Sequence, residues 1–186
     1  MPNWCANELY IASKNKHTLD AFTKKVGLKD DKPDFDFGKI LPEPDYEKVE
    51  VLPTFPDIVG DKKPVKSDHA WWDWRVQNWG TKWDLDGLDI PPSFGKWKQF
   101  GDDNKDIHFV HFEFVSAWSP PEAVIIAAGN QNPSLMFALQ YYEPGCDFEG
   151  ELIMLNGEIE THNTRECKPE IESLAEWKAT GIGERK

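Results

Sequence analysis

Residues 106–118 read "DIHFVHFEFVSAW", followed by "SPPEAVIIAAGNQNP" (119–133) and "SLMFALQYYEPG" (134–145). The first string alternates without a break. His108, Val110, Phe112 and Phe114 fall on one face of a strand, and Ile107, Phe109, His111, Glu113 and Val115 on the other. The second predicts a helix. Ser119 caps it, Pro120 and Pro121 sit in its first turn, where a missing N–H costs nothing, and Gly129 stops it. The third string is again a strand. Together the three make one β-α-β unit.

A second such unit precedes it. "NELYIA" (7–12) is a strand with Glu8, Tyr10 and Ala12 on one face and Leu9 and Ile11 on the other. "TLDAFTKKVGL" (18–28) puts Leu19, Phe22 and Val26 on one helical face, capped by Thr18 and ended at Gly27. "FDFGKILP" (35–42) reads as the returning strand, stopped by Pro42. "ELIMLNGEIETH" (151–162) carries a hairpin signal, because Asn156-Gly157 tolerates the positive φ of a two-residue turn. Two β-α-β units on one antiparallel sheet, with both helices on one face, give an α+β fold of the ferredoxin-like, split β-α-β kind. A C-terminal β-hairpin is added to it. The expected organisation is a single domain over 1–167, with a long Trp-rich insertion at about 42–105 packed on a sheet edge or on the open face. A tail over 168–186 follows, with a short helix around "EIESLAEWKAT".

Composition narrows the function classes. The chain has 186 residues, 39% of them apolar, with 14 prolines and 13 glycines. That is globular, with long loops. No apolar run approaches the ~18–20 residues that span a bilayer. The start lacks the basic and apolar stretches of a signal peptide, so a cytoplasmic protein without a membrane partner is expected. Three dispersed cysteines without ligand or redox spacing agree with reduced, idle thiols. The net charge of −12 opposes non-specific binding to duplex nucleic acid. The charge is uneven, however. Residues 30–61 are acidic, residues 42–65 read as a long, proline-stiffened loop, and residues 62–83 are a basic island.

That island holds "HAWWDWRVQNWGTKW" (69–83), with five of the nine tryptophans. As a helix capped by Ser67 or Asp68 and closed by Gly80, it has two aromatic faces. Trp72, Val76 and Trp79 make an ordinary core stripe. Trp71, Trp74 and Asn78, with Arg75 at the edge, mix indoles with hydrogen-bonding groups. Such a helix is either buried on both faces under the proline-rich loop or leaves one face for a partner. Indole planes beside Arg75 and Lys82 bind bases and phosphates, and the same residue types anchor protein interfaces. The candidate ligand-binding residues are therefore Trp71, Trp74, Arg75, Asn78, Lys82 and Trp83.

His111 and Glu113 share one face of the 106–118 strand, where a proton or a metal can be shared. His108 faces away, and no third ligand is identifiable from spacing. No nucleophile elbow, phosphate-cradling glycine loop or zinc motif occurs. The expectation is no catalytic residue, no metal and no cofactor.

"MPNWCANELYI" (1–11), "FDFGKILPEP" (35–44), "NWGTKWD" (78–84), "FVSAWSPPEAVI" (114–125) and "YYEPGCDFEGE" (141–151) occur in this order. On these motifs the chain resembles the YubB-type ferredoxin-like family of phage and plasmid proteins. It departs at Ile11-Ala12-Ser13, where a glycine is usual, and at Ser116, where threonine is usual. The resemblance implies a ferredoxin-like fold and a mobile-element origin, and no catalytic residues. The expected function is non-enzymatic: an accessory or anti-defence factor that sequesters a small nucleotide-like ligand through the Trp-rich basic site. One alternative is an inhibitor that binds a host defence protein through the Trp surface, or through the acidic loop acting as a nucleic-acid mimic. A second is an enzyme using His111 and Glu113. An exposed sheet edge allows a homodimer.

Overall fold

A computed structural model describes residues 3–29, 32–54, 66–85, 87–98 and 106–167. The elements in order are β1 (Trp4–Ser13), α1 (Lys16–Lys25), α2 (Ala70–Asn78), β2 (Ser93–Lys98), β3 (Asp106–Ala117), α3 (Glu122–Gln131), β4 (Met136–Glu143), β5 (Phe148–Leu155) and β6 (Glu158–Glu166). The six strands form one sheet in the order β2-β3-β1-β4-β5-β6. Every pairing is antiparallel. β3 and β4 therefore run parallel with β1 between them, joined over one face by α3. β1 and β2 are likewise parallel across β3, joined through α1. This is the ferredoxin-like arrangement, extended beyond β4 by the β5–β6 hairpin. Asn156 and Gly157 turn that hairpin with φ of 55° and 79°, as their types require.

The alternation in β1 and β3 decides which face is buried. Leu9 pairs with Phe112 and Ile11 with Val110. All four are buried, beneath Leu19 and Phe22 of α1 and Val124, Ile125 and Ala128 of α3. Fully burying such side chains stabilises by roughly 1.5–3 kcal/mol each. Glu8, Tyr10, His111 and Glu113 point to the opposite, open face, which carries no helix among the described residues.

Three expectations fail. "FDFGKILP" is not a strand. Phe37–Lys39 is a 3-10 turn whose Asp36 side chain caps Lys39 N, and the returning strand is β2. The pattern deceives because Phe35 and Phe37 are both fully buried without a ladder. They pack edge-to-face at 5.7 Å, and Phe35 lies 5.1 Å from Phe112. The insertion thus lies inside the first β-α-β unit, and its described helix α2 packs in the helix layer, against α3 and with Trp79 in the core. Helix limits also shift. Asn15, not Thr18, caps α1 by accepting from the His17 and Thr18 amides. α3 runs through Gly129 to Gln131, and Ser119 donates to Gly80 O at 2.6 Å instead of capping it. The proposed C-terminal helix, and part of the acidic loop, lie outside the described residues.

Candidate functional site

α2 is anchored by the described segments on either side of residues 55–65. Asp73 is buried and accepts from Thr54 N at 2.6 Å and from the Ser67 hydroxyl. Ser67 N in turn donates to Val51 O at 2.9 Å. Neither Ser67 nor Asp68 caps the helix directly; His69 occupies that position without a side-chain bond. Gly80 ends the helix at φ +87°. Its α-carbon faces the start of α3, where an added Cβ would lie 3.0 Å from Pro120 O and 3.1 Å from Glu122 N.

These anchors sort the candidate residues. Trp79 is 1% exposed and donates its indole N–H to Leu41 O at 2.9 Å. Trp74 packs against the core, 5.7 Å edge-to-face from Trp79. Asn78 donates its side-chain amide to Trp74 O at 2.9 Å. Arg75 forms an ion pair with Glu43 at 2.6 Å. Burial alone would raise the Glu43 carboxyl, but hydrogen bonds from Arg75 and Tyr46 outweigh it and hold the carboxyl below its usual value. Three of the six residues lie together at the surface. Trp71 is 40% and Trp83 36% exposed, and Lys82 Nζ sits between them, 6.0 Å and 4.7 Å from the ring centroids. The distances fit cation–π contacts.

Spacing along α2 could not show what this group adjoins. Trp4, from the start of β1, lies 6.1 Å from Trp83 and is 49% exposed. The two indoles line a cleft of about 530 Å³ between the β1–β3 end of the sheet and residues 84–85 and 87–90. Asn7, Glu113 and Ser116 also line it. Asp84, at its back, is committed to structure. It accepts from Phe37 N at 2.9 Å and Gly38 N at 3.4 Å, and its burial raises its pKa despite these bonds. Beside the cleft, Trp118 is 47% exposed at φ +73°, a backbone region that bulky side chains rarely adopt. The N-terminal "NW" was visible in sequence, but its meeting with Trp83 depends on strand order.

The open sheet face carries a second group. Glu8 and Glu113 are register partners on β1 and β3, as are Tyr10 and His111 one step along. His111 Nε2 lies 2.7 Å from Glu8 Oε1. Tyr10 stacks on the His111 ring at 4.3 Å, and Trp97 stacks on Phe109 at 4.2 Å. Burial, then the Glu8 charge, pushes the Tyr10 hydroxyl up to about 12. The sequence placed His111 and Glu113 together; Glu8 joins them only through β1–β3 register.

Residues 96–181, a little under half of the chain, match the family model described as a ferredoxin-like domain in Api92-like protein. No curated protein matches the chain. A crystal structure of a protein api92 from Yersinia pseudotuberculosis superposes on 91% of this chain and 100% of that one, with 9% identity and a TM-score of 0.49. The fold is thus ferredoxin-like in topology and in the matching family model. Among the described residues, no helix is long and apolar enough to cross a membrane.

Proposed function

We propose that this chain is a non-enzymatic binding protein of phage or mobile-element origin. It acts in the host cytoplasm as an accessory or anti-defence factor that sequesters a small nucleotide-like ligand. The observation that supports this is the cleft walled by Trp4 and Trp83, with Lys82 over Trp83 at its rim. A base stacks on exposed indole planes whatever its sequence identity, and stacking contributes roughly 1–3 kcal/mol per base. The ammonium of Lys82 meets a phosphate outside the cleft. In this reading Trp71, Lys82 and Trp83 touch ligand together with Trp4, while Trp74, Arg75 and Asn78 position α2.

Calorimetric titration with mononucleotides and cyclic dinucleotides tests it. Binding that Trp83→Ala weakens about ten-fold or more fits a stacking contribution of this size. No heat and no thermal shift with any of them at high micromolar concentration would sink the reading.

The exposed indoles of Trp71, Trp83, Trp4 and Trp118 favour a second reading, an inhibitor that docks on a host protein. It predicts no nucleotide binding and loss of complex formation on Trp118→Ala. The acidic mimic is less favoured, because Asp36 and Glu43 turn their carboxylates onto this chain's own amide and guanidinium groups.

A further inference from the structure

We infer that the open sheet face holds a site for one divalent first-row cation, ligated by Glu8, His111 and Glu113. One ligand atom from each lies within 4.8 Å of the other two. The three come from two strands of a rigid sheet rather than from a loop, so their separation is fixed by register. Glu8 is 5% exposed, and His111 and Glu113 are half-buried.

Two features set this group apart from a chance meeting of surface acids. The first concerns His111. Its Nε2 is shielded from solvent and lies at ion-pair distance, 2.7 Å, from Glu8 Oε1, which also accepts from the Tyr10 hydroxyl at 3.3 Å. Register thus holds an imidazole nitrogen and a carboxylate oxygen side by side, as two ligands of one cation would be. The second is the support of the ring. Ser93 Oγ contacts the other nitrogen, Nδ1, at 3.4 Å, and Tyr10 stacks on the ring face. A metal-ligating histidine is commonly held through its second nitrogen in this way, which fixes its orientation.

Charge points the same way. Like charges directly opposite on neighbouring strands are destabilising. A cation between Glu8 and Glu113 would be ligated by both carboxylates. The donor set selects the ion class: imidazole suits Zn²⁺, Fe²⁺ and other transition ions, and carboxylates suit Mn²⁺. Thiolates are absent from the group, and an all-oxygen Ca²⁺ shell is excluded by His111. Three protein ligands leave coordination positions open to water or to a bound molecule.

The experiment uses the full chain, metal-stripped and then titrated with Mn²⁺ and with Zn²⁺. One equivalent is expected to bind, and pulsed electron paramagnetic resonance of the Mn²⁺ complex should show nitrogen coupling from a bound imidazole. Glu8→Gln, His111→Gln and Glu113→Gln should each weaken binding by about ten-fold or more, given that even outer-shell changes cost about 10–100-fold. Absence of binding up to about millimolar ion, or Mn²⁺ bound without nitrogen coupling, overturns the inference. So does unchanged affinity in the variants. The wild-type resonance experiment decides the matter should a variant fail to fold.

Discussion

Asp73 Oδ1 accepts the backbone amide of Thr54 at 2.6 Å across 19 residues of sequence, while its other oxygen accepts from the Ser67 hydroxyl. One carboxylate in the Trp-rich helix therefore ties together the described segments on either side of residues 55–65. Burial opposes the charge on Asp73, but the bonds from Ser67 and Thr54 outweigh it, and the net shift is downward. A carboxyl held below its unfolded value stabilises the fold above that unfolded value. The contribution disappears as pH falls through the lower, folded value. Glu43 is shifted in the same direction. Acid should therefore loosen the insertion from about pH 4 downward. Asp73→Asn should cost about 1.5–3 kcal/mol at neutral pH, the range for hydrogen bonds to charged groups. It should also flatten the acid limb of stability against pH. Chemical denaturation across pH 3–7 measures both, and an unchanged acid limb would remove Asp73 from the account.

The ligand reading separates residues that the sequence placed together. Trp83→Ala should cost affinity and little stability, because the indole is exposed. Trp74→Ala should do the reverse, since its ring packs on Trp79 and the core. Large aromatic truncations in cores cost about 3–5 kcal/mol, and the lower end suits a partly buried ring. Arg75→Ala should leave ligand affinity within about two-fold once folding is corrected for, because the guanidinium is committed to Glu43. Titration and thermal unfolding of the three variants decide it. Equal loss of affinity in Trp74→Ala and Trp83→Ala, with folding intact, would return Trp74 to the site.

Period-two alternation made β1 and β3 legible, and Gly80, Asn156 and Gly157 were readable from backbone demands alone. Phe35-Asp36-Phe37 gave the false strand. Two phenylalanines spaced two apart satisfy the strand pattern, and nothing local says that their rings bury against β3 rather than across a ladder. The site was half legible for the same reason. Trp71, Lys82 and Trp83 are close in sequence, and so are His111 and Glu113. Trp4 and Glu8 arrive through strand order and register, which no local pattern encodes. Arg75 looked available because its partner, Glu43, is 32 residues away.

Gly80 tests whether the "NWGTKW" string is structural. Its φ of +87° is costly for any residue with a side chain, and Cβ would press on backbone atoms of the α3 start, which cannot rotate aside. Gly80→Ala should destabilise by about 1–3 kcal/mol, the usual cost of a residue held in a sparsely populated region. The loss should appear in urea denaturation. A cost near zero would mean that the junction between α2 and α3 is loose.

The three thiols should differ in reactivity by environment. Cys5 is buried on the core side of β1, and burial, then the Glu143 charge, pushes its thiol up to about 12. Burial, with a hydrogen bond to Asp147, raises Cys167 to about 11. Cys146 is exposed in the turn between β4 and β5. The thiolate is the reacting species, so at pH 8 iodoacetamide should label Cys146 first, Cys167 more slowly and Cys5 only on unfolding. Mass spectrometry of a time course reads the order directly. Labelling of Cys5 at the rate of Cys146 in folded protein would mean that the sheet opens at β1, where Trp4 and Glu8 also sit, and both the cleft and the cation site would lose their rigid base.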